Sequence, residues 1–289
     1  MIYEEIALSF QCHAASLHGI LSMPHRAATR GILFIVGGPQ YRIGSHRQFT
    51  LLARQFAAGG VPVMRFDYRG MGDSEGEPRD FTLIDEDICA ALDCFFQRAP
   101  HMQEVVLWGL CDAAASALLY AHQDKRVTGL VLVNPWVRTE QGVAKAYLKH
   151  YYLQRLLDAS LWKKIASGKL NFGATIRSLT HQINTLLRQG KKPASIASDG
   201  KKRENPPSLP EKMARGFSGF QGTVLFILCG NDLTAQEFSD LTRASPEWKK
   251  LMSASRVTQH MLPAANHTFS QRNWREQIGR WTLDWLKAP

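Results

Sequence analysis

A cysteine, an aspartate and a histidine, far apart in this chain, occupy positions from which they could do covalent chemistry together. Cys111 lies in Gly109-Leu-Cys-Asp-Ala-Ala-Ala-Ser116, between the apolar run Val105-Val-Leu-Trp108 and an alanine-rich, helix-forming segment. That is the grammar of a nucleophile elbow, G-x-S-x-G, in which a sharp strand-to-helix turn exposes a reactive side chain at the top of a sheet. Here sulfur stands in place of the serine oxygen, and Ala113 replaces the last glycine. A thiol at a helix N-terminus beside an imidazole can have its pKa lowered from about 8.5 into the range of roughly 3.5–7.5, giving a thiolate–imidazolium pair. Such a sulfur attacks a carbonyl carbon, and the imidazole then protonates the leaving group.

The partners come later in the chain. Cys229-Gly-Asn-Asp-Leu233 puts Asp232 in a turn directly after an apolar run, and Pro263-Ala-Ala-Asn-His-Thr-Phe269 puts His267 in a small-residue loop before the last amphipathic segment. Asp232 would fix the imidazole tautomer and stabilise its cationic form. A tetrahedral oxyanion needs two backbone donors. The N–H of Asp112 follows the nucleophile, and the second donor should come from Gly37-Gly-Pro-Gln40. Pro39 has no N–H, so Gly38 is the preferred donor and Gln40 the alternate. The side chain of Asp112 is expected to cap the helix rather than touch a substrate.

Competing residues have simpler readings. His260 falls inside an expected strand, and Glu237 and Asp240 fall on an expected helix. Ser116 lies one turn beyond the elbow and Ser74 in a turn-rich loop, both as packing residues. Free cysteine is among the most buried residue types, so Cys12, Cys89, Cys94 and Cys229 read as core or helix-face residues. The competing reading of Cys111 is a small residue in a turn that has lost its serine, on an inert scaffold.

These residues need a frame. Residues 2–24 read as an antiparallel edge hairpin, with Ile6-Ala-Leu-Ser-Phe10 and Leu17-His-Gly-Ile-Leu-Ser22 as its strands. Apolar runs at 31–36, 61–66, 105–108, 127–133, 223–229 and 256–261 read as strands. Those at 31–36 and 127–133 have the continuous hydrophobicity of strands buried on both faces. Helices are expected at 46–58, 81–98, from the elbow to about 122, within 235–254 and at 270–286. The alternation predicts an α/β chain with a mostly parallel sheet and helices on both faces. In such sheets chemistry gathers at the carboxyl ends of the strands, where Gly38, Cys111, Asp232 and His267 all fall.

The alternation breaks between 137 and 217, which reads as a basic helical lid with a mobile loop at about 189–211, where four prolines stand among Lys, Ser, Asp and Gly. The core would then comprise 1–136 and 218–289. The net charge of +10 belongs to this insertion: residues 138–215 hold 16 Lys/Arg against 5 Asp/Glu, and the remainder holds 19 against 20. A positive lid would attract an anionic partner. The candidates are an acidic polysaccharide, a phosphorylated or CoA-linked acyl donor, or peripheral contact with an anionic membrane surface. The basic residues follow no nucleic-acid motif, so nucleic acid is not expected. No apolar run is long enough to span a bilayer, and the N-terminus lacks a signal-peptide pattern. Five cysteines without a CxxC pair point to reduced thiols in a cytoplasmic protein, with no disulfide framework and no zinc site. The triad needs no metal and no organic cofactor.

The order Cys, Asp, His is the order of α/β-hydrolases, and the chain resembles that superfamily, in its serine-aminopeptidase-like lipase/esterase form, over nearly its whole length. The elbow Gly109-Leu-Cys-Asp-Ala-Ala, together with Gly37-Gly-Pro-Gln-Tyr-Arg42 and Phe66-Asp-Tyr-Arg-Gly-Met-Gly-Asp-Ser74, is similar to the exosortase A system-associated hydrolase 1 group, found beside bacterial exopolysaccharide and protein-sorting genes. The resemblance implies an α/β-hydrolase fold and a Cys111–Asp232–His267 triad. The expected substrate is a small-molecule or glycan-linked acyl group, held as an ester, thioester or lactone. An acyltransferase using the same acyl-cysteine is the alternative among enzymes, and a binding scaffold on a hydrolase fold the alternative outside them.

Overall fold

Residues that alternate or run apolar in the sequence become the strands of one sheet in the computed structural model, which describes residues 3–38, 40–137 and 206–287. The strands are β1 (Tyr3–Cys12), β2 (Ala15–Pro24), β3 (Arg30–Ile35), β4 (Val63–Asp67), β5 (Glu104–Leu110), β6 (Val127–Val133), β7 (Thr223–Asn231) and β8 (Val257–Asn266). They lie side by side in the order β1-β2-β4-β3-β5-β6-β7-β8. β1 pairs with β2, and β2 with β4, antiparallel. Every pairing from β4 across to β8 is parallel.

The central strands are buried on both sides because helices cover both faces. On one face, α1 (Gln48–Ala58) contributes Phe49, Leu52 and Phe56 to a core shared with Phe34, Trp108 and Ile227. Phe34 and Trp108 meet there at 4.7 Å between ring centroids. On the other face, α2 (Asp85–Arg98) and α3 (Asp112–Tyr120) bury Ile88, Leu92, Phe95 and a row of alanines against Leu33, Leu107 and Leu132. The alanines let α3 approach the sheet closely.

The helical lid expected over 137–217, with its loop at about 189–211, lies outside the described residues for 138–205. At its far end Ser208 caps α4 (Leu209–Gly219), whose Met213, Ala214 and Phe217 are buried in the second core. The helix expected within 235–254 is two helices, α5 (Leu233–Ala244) and α6 (Pro246–Met252). Pro246 cannot donate into a continuing helix, and Ser245 instead caps a new one by accepting from the Trp248 N–H at 3.4 Å. The chain ends on α7 (Arg272–Lys287), which joins α1 on the first face. Among the described residues, no helix is long and apolar enough to cross a membrane.

The loop after β4 is braced by a buried ion pair. Asp87, fully buried on α2, accepts from the Arg69 N–H and Nε at 2.9 Å each through Oδ1, and from Nη2 at 2.9 Å through Oδ2. Removing one member of such a pair strands the other charge in a low dielectric, at a cost of about 3–5 kcal/mol. Asp87→Ala is therefore expected to lose stability on that scale in urea unfolding at neutral pH. A loss below about 1 kcal/mol would show that Glu86, already 2.6 Å from Arg69 Nη2, is enough to hold the guanidinium.

Candidate active site

The turn between β5 and α3 is strained at Cys111, where the sequence predicts a nucleophile. Cys111 has φ 65° and ψ −122°, a conformation that costs a residue with a Cβ. The surrounding backbone holds it there. Its N–H donates to the Val133 carbonyl at 2.9 Å, and its own carbonyl accepts from Ala114 and Trp136 N–H at 3.1 Å each. Gly109 is required by the same turn, because a Cβ on it would lie 2.5 Å from the Ala113 carbonyl. The helix thus passes directly over the end of the strand, and a methyl at Ala113 is accommodated.

Asp232 and His267 are brought together by register. β7 and β8 pair evenly up to Cys229 and Leu262, slip through an irregularity, and end with Asn231 opposite Asn266. The next residue on each strand is Asp232 on one side and His267 on the other. Asp232 Oδ2 lies 2.8 Å from His267 Nδ1, while its Oδ1 accepts from the Thr234 N–H at 3.1 Å and caps α5. The carboxylate is buried, and the imidazole side chain is about one third exposed at 32%. Nδ1 is taken by Asp232, which leaves Nε2 as the free ring nitrogen, and Cys111 is near enough to act on the charge of the ring. The Asp232 bond first, then Cys111, with both partners' charges, push the imidazole up to about 10 against the opposing effect of burial.

The other thiols have no such company. Burial pushes Cys229 up to about 12 and raises Cys12 and Cys94 as well. Among the competing residues, His260 stacks on Trp281 at 4.5 Å between centroids and is lowered by burial. Ser116 Oγ donates to the Phe81 carbonyl at 2.7 Å, Ser74 Oγ to the Asp67 carbonyl at 2.7 Å, and Asp240 pairs with Arg243 on the helix surface.

The glycine loop after β3 comes to the elbow as expected, but its N–H is engaged. Gly38 donates to Asp112 Oδ2 at 2.7 Å, and Ala113 donates to Asp112 Oδ1 at 2.9 Å. The N-cap of α3 is Cys111, which offers no side-chain cap bond; Asp112, the first residue of the helix, takes the neighbouring Ala113 N–H and reaches across to the loop. Burial raises its carboxyl above the ordinary range, opposed by the bonds from Gly38 and Ala113 and by His267. Gln40, the alternate donor, uses its side-chain oxygen to accept from the Ser45 N–H at 3.1 Å.

Two braces near the site, one on this loop and one between β6 and β7, were not read from the sequence. The Arg42 N–H donates to the fully buried Asp67 at 2.6 Å, and the Arg42 guanidinium clasps the same carboxylate. A second guanidinium nitrogen reaches Asp73 at 2.5 Å. The signal for this brace was an acid at the carboxyl end of β4 facing an Arg just past the glycines. Asn134, buried with φ 45°, accepts from the Cys229 N–H at 2.9 Å and ties the end of β6 to β7. Among the described residues, no group of three or more His, Cys, Asp or Glu is placed to hold a metal ion.

Known proteins share this arrangement of strands. The esterase Pf2001 of Pyrococcus furiosus superposes with a TM-score of 0.65 at 13% identity, over 99% of this chain and 91% of that one. Dienelactone hydrolase from Anabaena variabilis gives 0.61 at 13% identity, over 99% and 98%. In sequence, the polyketide transferase grgF of a Penicillium species is 31% identical over 116 residues, 38% of this chain and 39% of the transferase. The match thus spans about two fifths of that relative's length. The sequence pattern of the alpha/beta hydrolase family runs from residue 32 to residue 278, from β3 into α7, and the chain belongs to that family.

Proposed function

We propose that the protein hydrolyses an ester, thioester or related acyl bond through an acyl-Cys111 intermediate. The observation that carries this reading is the 2.8 Å bond from His267 to the buried Asp232, on an imidazole whose hold on its proton Cys111 also strengthens, with that sulfur on a turn at φ 65°. An imidazole raised to about 10 by Asp232 and its neighbours can hold the proton that the sulfur gives up as it attacks. The sulfur attacks the acyl carbon, and the carbonyl electrons move onto oxygen. Collapse of that oxyanion expels the alkoxide or thiolate, which takes the proton from His267. Neutral His267 then removes a proton from water as it attacks the thioester. The second collapse releases the acid and returns the sulfur as thiolate beside imidazolium. Asp232 holds the ring in place throughout.

A thioester intermediate favours acyl groups that are already activated, such as thioesters and lactones. The resemblance of the elbow and its flanking loops to exosortase-associated hydrolases supports a glycan-linked acyl group in the cytoplasm, and the +11 balance of residues 138–215 supports an anionic one. Acyl transfer to a sugar hydroxyl is the second reading. It is favoured by the likeness to a polyketide transferase and differs only in the nucleophile of the second step.

The test is mass spectrometry of the intact protein after brief exposure to acyl esters and thioesters of varied head group and charge. The expected result is a single acyl adduct on Cys111, turning over in water or passing to an added sugar. A Cys111 that takes no acyl group from any probe, with or without acceptor, would favour the binding scaffold.

A further inference from the structure

The carboxylate of Asp112 occupies the space that acyl chemistry at Cys111 would need. Oxyanion donors act at 2.7–3.1 Å from the developing charge. Here the Gly38 and Ala113 N–H groups lie 2.7 and 2.9 Å from Asp112 oxygens. The loop donor expected to bind an oxyanion, Gly38, is thus engaged by a residue adjacent to the nucleophile. The fit depends on the bare Cα of Gly37: a Cβ there would lie 2.0 Å from Asp112 Oδ1 and 2.9 Å from the Ala113 nitrogen. The loop is shaped around the carboxylate.

We propose that Asp112 is the resting occupant of the oxyanion cradle, and that Cys111 is acylated only when this carboxylate rotates out and releases the Gly38 N–H group. The proposal rests on the acyl-cysteine reading above. It makes Asp112 a positioning residue: it acts through that donor and takes no part in bond making. Two negative oxygens cannot share one set of donors without strong repulsion, so a charged Asp112 opposes acylation and a protonated one yields more readily. The groups that face it are Tyr68 beyond β4, His267 beyond β8 and Cys111 on its own turn, while the 37–40 loop offers it the Gly38 N–H. Tyr68, pushed up to about 12 chiefly by burial and then by the charge of Asp112, stays neutral, and His267 stays cationic.

Two reactions of the same sulfur separate the cradle from the nucleophile. Acylation by p-nitrophenyl acetate builds an oxyanion, whereas alkylation by iodoacetamide displaces iodide at a saturated carbon and builds none. The ratio of the two rates, followed by mass spectrometry on the whole protein, reads the cradle alone. In the wild type this ratio is expected to rise towards acid pH, as Asp112 gains its proton. In Asp112→Ala it should be at least about tenfold higher at pH 8 and flat with pH, since even one oxyanion donor is worth about 10²–10³-fold. Asp112→Asn keeps the shape and loses the charge, so it should also be flat, with a smaller gain. It carries the test if the alanine variant does not fold. A ratio in either folded variant equal to or below that of the wild type would overturn the proposal and leave the acyl-cysteine reading standing. Alkylation without acylation in wild type and both variants would overturn that reading, and the proposal with it.

Discussion

Cys111→Ala is expected to lower kcat/KM for an acyl substrate of this protein by about 10³-fold or more, because removal of a nucleophile leaves only binding and electrostatic stabilisation. The same variant should change His267. Among the causes that hold the imidazole at about 10, after the bond to Asp232, is the nearby Cys111 with its charge. Without the sulfur, its midpoint in a histidine NMR titration should move down. Stability should respond in the opposite sense to activity when glycine is used instead. At φ 65° a residue with a Cβ is strained by about 1–3 kcal/mol. Cys111→Gly relieves that strain, and part of the gain is offset by the larger entropy of the unfolded glycine chain. The expected net effect is a raised Tm with activity abolished. Hydrolysis by Cys111→Ala at the wild-type rate would remove the sulfur from the mechanism, and a lowered Tm for Cys111→Gly would show that the turn is not strained by its side chain.

That strain sits at a place where the sequence was legible, and the contrast with less legible places is physical. A buried parallel strand must be apolar on both faces, so 127–133 could be read to the residue as β6 (Val127–Val133). The order of Cys111, Asp232 and His267 after successive strands was equally open to reading. Their contact was not, because it depends on an irregularity late in the β7–β8 pairing that brings Asn231 opposite Asn266. β8 itself runs five residues beyond the expected end at 261, through Pro263. Proline is tolerated there because β8 is an edge strand and needs no donor on its open side. The role of Asp112 was half visible. Its place in the first turn of α3 announces a bond to a free N–H there, which Ala113 supplies, but its bond to Gly38 depends on how closely a loop 74 residues earlier approaches, and local patterning carries no information about that distance.

The register that joins Asp232 to His267 makes Asp232→Asn the second large effect. The Asp232 hydrogen bond is the first cause of the raised imidazole, and its charge adds to it, while burial works the other way. Asparagine removes the charge and can offer its amide N–H₂ to the ring, which favours the wrong tautomer. In a serine triad that substitution costs about 10⁴-fold in kcat. Here a loss of about 10²–10⁴-fold is expected, borne by kcat rather than KM because Asp232 touches the imidazole and not the substrate. Stability carries a second signature. A histidine held above its unfolded value of about 6.5 binds its proton more tightly in the folded state. Its contribution is fully present below about pH 6.5 and is lost as pH rises through about 10. The wild type should therefore exceed Asp232→Asn in unfolding free energy by most in mildly acidic solution, and the gap should narrow between pH 6.5 and 10. A gap that stayed constant over that window would mean that Asp232 supports the fold through its cap on α5 and the Thr234 N–H alone, and that the imidazole does not owe its proton to this carboxylate.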